Sequence, residues 1–445
     1  MLENYEFIPL EKVDHTHKKA DITIEEQTLI RRTILPGGIT VLTEKVPATF
    51  SASIACYFPV GSRDENEEIY GATHFLEHLL FKGTQTRSAK DIAQAFDRIG
   101  GENNAATAKE YTAYYARVLD EHLPMACQVL LDMVTSSTIA RKEFEVEKQV
   151  IIDELAMSLD DLNEVAYDNF SKYVFYNHCL GRPVGGTYET IEKVCREKVI
   201  EHYNKNYSSE KLVVVAVGNV QHEQVCELVM KNLEKTLWDT KKTVAPVRRD
   251  NILNKIDLYS GTHFTQKDSQ QNHIFLGTQG LNASSSQLIV MSVANSALGG
   301  SMSSRLFQEI REKRGLAYTT YAFDTAYSDN GIFGVYASCN PKNTNEIINL
   351  MNEQLHDVAD NGLSDEEIEM TRGQLKGVML MGLEDNMSRM NRLARHELIF
   401  GRYISVEETI KRINHVTSED TKHLFRELMS KPQIISVLGQ DCKTV

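Results

Sequence analysis

The sequence predicts an α+β fold: two homologous α/β modules in tandem, each with a mixed or antiparallel sheet and helices packed on one face. Strand patterns come in clusters and helical patterns come in clusters, which favours α+β over a doubly wound parallel sheet. Landmarks of the first half also recur about 220 residues later, as expected of an internal repeat. Gly181-Arg182, Glu189-Thr190-Ile191 and Val213–Gly218 are matched by Gly401-Arg402, Glu408-Thr409-Ile410 and Ile434–Gly439.

The first module is predicted to begin with strands and continue with helices. Ile39–Lys45 and Ser51–Phe58 are rich in β-branched and apolar residues, and a Pro-Gly-Gly turn precedes the first of them. Val213–Gly218 is an apolar run ended by glycine, which predicts a central strand. Helices are predicted at Gly71–Phe81, Ala89–Ile99, His122–Thr135 and Arg141–Leu159.

The domain boundaries follow from composition and from the repeat. Residues 1–28 are polar and charged and are predicted to form a surface extension. Residues 29–237 form the first module, and residues 255–445 form the second. Between them, residues 238–254 are polar and contain proline, which is typical of a linker.

Composition excludes several classes of protein. The 445 residues are 42% hydrophobic and 25% charged, which is ordinary for a globular protein. A net charge of -14 disfavours nucleic-acid binding, which needs a basic surface. No apolar run is long enough for a membrane helix, and the N-terminus has neither a signal nor a transit pattern, so a cytoplasmic location without membrane partners is expected. The seven cysteines, with no C-x-x-C pair, are expected to be reduced.

The most specific motif is His74-Phe75-Leu76-Glu77-His78. On a helix, residues four apart share a face, so both histidines can reach one metal ion. Glu77 lies on the same side and can act near the metal without being a ligand. This is the H-x-x-E-H inversion of the zincin motif, and its surroundings are apolar. Buried imidazoles and a carboxylate there would be costly unless a cation neutralised them.

A catalytic zinc ion usually has three protein ligands, so a third is expected elsewhere. The predicted helix Arg141–Leu159 carries Glu147 and Glu154 seven residues, or two turns, apart. They share a face with the apolar Val150 and Ile151 between them, which is unusual for a solvated helix surface.

These residues resemble a known family. Glu154 lies 76 residues beyond His78, as in the pitrilysin/insulysin family of zinc metallopeptidases. The resemblance is greater to the branch that includes the catalytic subunit of the mitochondrial processing peptidase and its bacterial relatives, and it covers roughly Arg31 to Gly439. The stretches that carry it are Val60–Glu65, His74–Thr84, Gly100–Thr107, Glu147–Leu155 and Gly299–Tyr318.

The resemblance implies a role for each candidate residue. His74, His78 and Glu154 would bind one Zn²⁺ per chain, Glu77 would be the general base, and Glu147 would support the ligands. Arg311 and Tyr318 of the second module would bind the substrate backbone near the scissile bond. Asn104 and Ala105 would lie on an exposed edge strand, to which an extended peptide adds as a further strand. The second module lacks H-x-x-E-H and is expected to bind no metal.

The resemblance also implies an assembly and an activity. Family members of this half-length pair as homodimers or heterodimers. This chain is therefore expected to be a zinc-dependent endopeptidase that hydrolyses extended or presequence-like peptides in a chamber between its two modules and between two chains. Two alternatives remain open. S-ribosylhomocysteine lyases carry the same motif but are short and use a cysteine as third ligand. Non-catalytic family members lose parts of the metal motif, which is complete here.

Overall fold

The structure, a computed structural model, describes residues 29–249 and 255–440 in full. Of residues 1–28 it describes only the backbone of three short strands. The strands in chain order are β1 Phe7–Ile8, β2 Asp14–Lys19, β3 Ile22–Gln27, β4 Leu29–Leu35, β5 Ile39–Lys45, β6 Ser51–Phe58, β7 Glu102–Thr107, β8 Thr112–Leu119, β9 Val213–Gly218, β10 Gly261–Gln266, β11 Asn272–Gln279, β12 Ala317–Ala326, β13 Gly331–Cys339 and β14 Ile434–Gly439.

The helices are grouped after and between the strands, as the clustering of patterns predicts. In chain order they are α1 Ala72–Leu79, α2 Ala89–Asp97, α3 Leu123–Ser136, α4 Arg141–Ser158, α5 Leu162–Val174, α6 Tyr188–Lys193, α7 Arg196–Asn206, α8 His222–Leu233, α9 Leu288–Gly299, α10 Thr344–Asn361, α11 Asp365–Gly382, α12 Asn386–Arg395, α13 Val406–His415 and α14 Ser418–Ser430. None of the helices in the described part of the chain is long and apolar enough to cross a membrane.

Sheet topology confirms the predicted fold class and the internal repeat. The first sheet has the strand order β1-β4-β5-β9-β6-β8-β7, and the second has the order β10-β14-β11-β13-β12. The last five strands of the first sheet thus match the second sheet one for one. In each sheet the first two of these five strands pair in parallel, and the other neighbours pair antiparallel.

Each sheet packs the helices of its own half against one face. The first core lies between the first sheet and a layer that includes α1, α3 and α8. The second core lies between the second sheet and a layer that includes α9, α10 and α14. This layering is the predicted one, because an apolar sheet face is stable only when another element covers it.

A further helix from the other half of the sequence covers the opposite face of each sheet. Helix α12 buries Met390, Leu393 and Ala394 against the first sheet. Helix α5 buries Phe170 and Val174 against the second sheet. Periodicity did not reveal this exchange, because an amphipathic helix pattern does not state which sheet it covers.

The chain therefore forms two compact units that are discontinuous in sequence. The first comprises residues 1–155, 183–249 and 381–403, and the second comprises residues 156–182, 250–380 and 404–445. The predicted modules, 29–237 and 255–445, are contiguous. They therefore keep residues 156–182 in the first module and residues 381–403 in the second, whereas the structure exchanges these two segments. Residues 250–254 of the predicted linker lie outside the described residues.

Candidate metal centre

Helix α1 carries the H-x-x-E-H motif, and its start is held by a buried acidic side chain. Gly71 precedes the helix with φ of 91°, a left-handed conformation that favours glycine. The two carboxylate oxygens of buried Glu65 accept hydrogen bonds from the backbone N–H groups of Gly71 and Thr73, at 2.8 and 2.7 Å. A carboxylate at this end also complements the helix dipole.

The structure brings His74 and His78 together on one side of α1. Their ring centroids are 4.9 Å apart with the rings nearly perpendicular. Phe75, Leu76 and Leu79 of the same helix are buried in the first core. The apolar positions thus anchor the helix and leave the two imidazoles on the opposite side, as the i, i+4 spacing predicts.

Helix α4 brings Glu154 to the same place. Its buried residues Phe144, Glu147 and Ile151 follow helical spacing, and Glu154 continues that face one turn further on. The ring of Phe144 stacks on Phe75 of α1 at 4.5 Å, which holds the two helices together. Glu154 keeps about half of its side chain exposed, at 49%.

The three side chains converge closely enough to hold one ion. The Oε2 atom of Glu154 lies 3.8 Å from Nε2 of His74 and 3.3 Å from Nε2 of His78. One ligand atom from each residue lies within 4.8 Å of the others. Tetrahedral ligands at Zn–N and Zn–O distances of about 2.0–2.2 Å are roughly 3.3–3.6 Å apart. Two imidazoles and a carboxylate are ligands that suit Zn²⁺, and the separation of 3.3 Å lies in this range, whereas the separation of 3.8 Å is slightly longer.

Glu147 lies behind His78. Its side chain is only 3% exposed, and its Oε2 atom lies 3.2 Å from Nδ1 of His78. A carboxylate that accepts a hydrogen bond from Nδ1–H leaves Nε2 without a proton and free to bind metal. The other oxygen, Oε1, lies 2.8 Å from Nζ of Lys82.

His74 has a different environment. Burial lowers the pKa of His74 below its usual range, and the neighbouring His78 adds to this, whereas the carboxylates of Glu77 and Glu154 act in the opposite direction. Its Nδ1 atom is buried and makes no hydrogen bond to the described residues. Gly185 lies next to this atom, since a Cβ at that position would be 3.5 Å from it.

Glu77 is half-buried on the same side of α1. Burial raises the pKa of the phenols of Tyr114 and Tyr207, and the negative charge of Glu77 adds a smaller contribution in the same direction. The two phenol oxygens lie 3.0 Å apart, and both tyrosines are buried. Glu77 lies on the same helix as the two imidazoles and is not one of the three converging ligand residues.

Asn104 and Ala105 lie on strand β7, an edge strand of the first sheet that packs against α1. Ala108 N–H donates to Tyr111 O at 2.8 Å, and the antiparallel register from this pair places the Ala105 N–H on the open edge. That N–H donates to Oδ1 of Asn104 at 2.8 Å. The predicted edge strand is thus present, and its free edge lies beside the motif helix.

Arg311 and Tyr318 lie together in the second unit. The Arg311 guanidinium lies over the ring of Tyr318, 4.3 Å from its centroid, and Nη1 donates to the Tyr318 carbonyl at 3.2 Å. Tyr318 is on β12, an edge strand of the second sheet, with 73% of the residue exposed. The two residues, which are seven positions apart in the sequence, are therefore in contact.

Two residues of this site had no predicted role. Lys82 stands four residues after His78, so helical spacing could have placed it on the motif side. Glu65 is separated from α1 by the short 3-10 turn Glu67–Ile69 and the residues that follow it, so no continuous periodicity relates it to α1. Both lie in stretches that carried the family resemblance, but the resemblance gave neither of them a role.

Comparisons with known proteins agree with the fold and with the family that the sequence resembles. Residues 40–188 match the family model described as Insulinase (Peptidase family M16), and residues 193–375 match the one described as Peptidase M16 inactive domain. A zinc protease of Streptomyces coelicolor is 42% identical over 410 residues, which is 92% of this chain and 89% of that protein. The zinc protease YmxG of Bacillus subtilis is 34% identical over 411 residues, 92% of this chain and 98% of that protein. Both relatives are named as uncharacterized.

Two solved structures share the fold. A peptidase M16 inactive domain from Pseudomonas fluorescens has a TM-score of 0.81 at 17% identity, covering 92% of this chain and 98% of that one. A protease from Helicobacter pylori has a TM-score of 0.82 at 20% identity, covering 92% and 99%. The two-sheet fold, the motif and the zinc-protease relatives define a zinc metallopeptidase. The chain belongs to peptidase family M16, the pitrilysin or insulinase family, as its motifs predict.

Proposed function

We propose that this chain is a zinc endopeptidase that hydrolyses extended peptides, with His74, His78 and Glu154 as the ligands of one Zn²⁺. The observation that carries the proposal is the convergence of these three side chains from two helices onto one point. Glu147 supports it, because a buried carboxylate at Nδ1 of His78 is the partner that a metal-binding imidazole requires.

Zinc, when bound, supplies a Lewis acid that polarises the peptide carbonyl and acidifies water. Glu77 accepts a proton from the attacking water and returns that proton to the nitrogen of the leaving amine. A carboxylate outside the ligand set suits this work, because it is free to change its protonation state. Near Glu77 lie the buried phenols of Tyr114 and Tyr207, which are hydrogen-bonded to each other.

Strand β7 is proposed to bind the peptide. The open edge presents the Ala105 N–H, and an extended peptide that adds there hydrogen-bonds through its backbone. Backbone pairing places few demands on side chains, which agrees with presequence-like or other unstructured substrates. Asn104, whose side chain holds this N–H at 2.8 Å, would release it to the peptide.

Arg311 and Tyr318 are proposed to bind the substrate backbone. Tyr318 is exposed on its strand, and the stacked guanidinium of Arg311 restricts the motion of the ring. Tyr318→Phe would retain this stacking and remove only the hydroxyl. A lower kcat/KM at unchanged zinc content is the expected result, and steady-state kinetics with a fluorogenic peptide measures it.

Pairing of two chains is proposed from the family resemblance of this half-length chain. A homodimer would have twice the mass of the chain in sedimentation, and a heterodimer would copurify with a related subunit. A monomer that is fully active at nanomolar concentration would exclude both arrangements.

The central experiment is Glu77→Gln. Zinc content, measured by mass spectrometry, is expected to stay at one ion per chain, while turnover of a fluorogenic peptide falls by about 10²–10⁴-fold, as loss of a general base predicts. Glu145→Gln, on the exposed face of α4, is the matched control and is expected to retain activity. Wild-type hydrolysis should disappear with a chelator and return with zinc.

Two outcomes would contradict the proposal. Substantial turnover by a zinc-loaded Glu77→Gln protein would overturn the assignment of the base. A wild-type protein that binds zinc but cleaves no peptide would instead favour a non-catalytic family member, the alternative left open by the sequence.

A further inference from the structure

We propose that Lys82 is a positioning residue of the metal centre. Its ammonium group binds one oxygen of Glu147 and thereby directs the other oxygen to Nδ1 of His78. The inference rests on the proposed function, because it concerns His78 as a zinc ligand. It adds a third member, Lys82, to the His78–Glu147 pair.

The geometry forms a continuous chain of contacts. Lys82 Nζ lies 2.8 Å from Glu147 Oε1, and Glu147 Oε2 lies 3.2 Å from His78 Nδ1. Lys82 ends the 3-10 turn Leu80–Lys82 that directly follows α1, so it lies one turn beyond His78 on the same side. One carboxylate from α4 thus links two side chains of the α1 segment.

Because the carboxylate of Glu147 is buried, it needs the ammonium group of Lys82 as a partner. The side chain of Glu147 is 3% exposed, and among the described residues its carboxylate contacts only Lys82 and His78 through hydrogen bonds or ion pairs. A buried carboxylate is costly unless its oxygens are paired. Without Lys82, Oε1 would have no partner, and the carboxylate could rotate away from His78 to seek one.

The two imidazoles differ in whether their Nδ1 atom has a hydrogen-bond partner, and this difference makes the contacts of His78 more important. Nδ1 of His74 is buried without a hydrogen bond to the described residues, so no such partner selects its tautomer. The Nδ1 atom of His78 has Glu147 as its partner. Lys82, through Glu147, therefore acts on His78, the imidazole whose tautomer is set by a carboxylate partner.

The first test measures zinc affinity by competition with a chelating dye. Lys82→Met is expected to weaken zinc binding by about 10-fold or more, within the usual range for residues that support a ligand. Lys82→Arg keeps the positive charge and is expected to recover most of the affinity. Lys148→Met is the matched control, because Lys148 follows Glu147 in the chain but donates to the Glu192 carbonyl at 2.8 Å. If Lys82→Met binds zinc as tightly as Lys148→Met, the proposal is wrong.

The second test asks whether Lys82 acts through Glu147. In the double variant Lys82→Met/Glu147→Gln, the loss of affinity should be no larger than in Glu147→Gln alone, because coupled residues are not additive. Fully additive losses would show that Lys82 acts independently and would overturn the inference. Lys82→Gln replaces Lys82→Met in this cycle if the methionine variant does not fold.

The third test separates this inference from the proposed function. Nitrogen-15 spectra of histidine-labelled, metal-free full-length protein at pH 8 report the tautomer of each neutral imidazole. His78 should carry its proton on Nδ1 in the wild type and in Lys82→Arg, and should become a tautomer mixture in Lys82→Met. An unchanged His78 tautomer in Lys82→Met would refute the role of Lys82. If the wild-type chain binds no zinc, the proposed function fails, and the tautomer comparison still shows separately whether Lys82 directs Glu147 to Nδ1 of His78.

Discussion

Two buried acidic residues from outside α1 hold parts of this helix in place. Glu147 fixes His78 from α4, and Glu65 holds the first turn from the preceding loop. Both carboxylates are almost fully buried, and both are satisfied by specific donors. The position of the motif histidines is therefore set at both ends of a helix of only eight residues.

Glu65→Gln is predicted to destabilise the protein without touching a proposed ligand. The amide would present N–H to one of the two backbone donors that the carboxylate now satisfies, at a cost of about 1–3 kcal/mol for an unpaired buried donor. Urea unfolding followed by circular dichroism measures this. Glu67→Gln, on an exposed neighbouring residue, should change stability by less than about 0.5 kcal/mol. Equal stability of the two variants would show that Glu65 does not anchor the helix.

His222 gives a prediction about pH. Its ring nitrogens contact the hydroxyls of Thr33 and Thr43 at 2.7 and 2.8 Å, and burial lowers the pKa of His222 from 6.5 to about 4. Between these pH values the unfolded chain binds the proton and the folded chain does not, so this contribution to stability is complete above pH 6.5 and declines towards pH 4.

His222→Gln should therefore flatten the pH dependence of stability over this window, by on the order of 2 kcal/mol between pH 7 and pH 4. Urea midpoints at several pH values measure the slope. The exposed His356 provides the control, since His356→Gln should leave the wild-type slope in place. The prediction fails if His222→Gln and wild type lose stability in parallel as the pH falls.

At the residue scale, the sequence was sufficient to predict which candidate side chains share one face of a helix. His74, Glu77 and His78 are four residues or fewer apart, and Glu147 and Glu154 are two turns apart, so each set shares a face whatever the fold. Their convergence required the family resemblance, because no local pattern relates α1 to α4. Lys82 and Glu65 gained roles only from tertiary contacts, which the sequence does not display.

At the scale of elements, the two modules differ where the metal ligands lie. Helices α4 and α11 both have 18 residues and occupy the same place in the repeat. Counted from the helix start, Glu147 is matched by buried Thr371, and Glu154 is matched by exposed Val378. The second module thus repeats the element with a threonine and a valine in place of the two carboxylates.

The strand predictions were accurate because buried strands have a strong local signal. Ile39–Lys45, Ser51–Phe58, Val213–Gly218 and Ile434–Gly439 are strands with the predicted bounds. The predicted helix Gly71–Phe81 is shorter in the structure, because α1 changes to a 3-10 turn at Leu80. Helix ends depend on such local hydrogen bonds, which apolar periodicity does not reveal.

Strand β7 leads to a prediction about peptides. If a substrate pairs with its open edge, only every second backbone N–H of the peptide faces the protein, because strand hydrogen bonding alternates. N-methylation of successive amides in a peptide substrate should therefore raise KM with a period of two residues. Ala105→Pro should produce a similar loss for all peptides, because proline lacks the N–H on that edge, while the ladder to β8 is retained.

Ala105→Ser is the control for this experiment, because it changes the side chain and keeps the N–H. It is expected to retain the wild-type KM within about threefold, with zinc content unchanged in both variants. A methylation profile without the period of two, or equal effects of proline and serine, would mean that the peptide does not add to β7 as a strand.

At the scale of the whole molecule, the exchange of α5 and α12 makes the two halves interdependent. Residues 1–249 contain the first sheet but lack α12, which covers Tyr57, Val215 and Val217 on one face. Residues 255–445 contain the second sheet but lack α5, which covers Phe275 and Tyr336. Each fully buried apolar side chain contributes roughly 1.5–3 kcal/mol, so each isolated half would expose a costly surface.

Neither half is therefore predicted to fold alone, although the internal repeat suggests that each could. Residues 1–249, expressed without the rest, should bind a hydrophobic dye, aggregate and hold zinc weakly, despite carrying every proposed ligand. Co-expression with residues 255–445 should give a complex that copurifies and binds zinc with the affinity of the intact chain. A specific protease site inserted after Arg249 provides the matched control, since cleavage after folding should leave the two parts associated. If the fragment of residues 1–249 were monomeric, bound no hydrophobic dye and had full zinc affinity, helix α12 would be dispensable. The contiguous modules expected from the repeat would then be the true folding units.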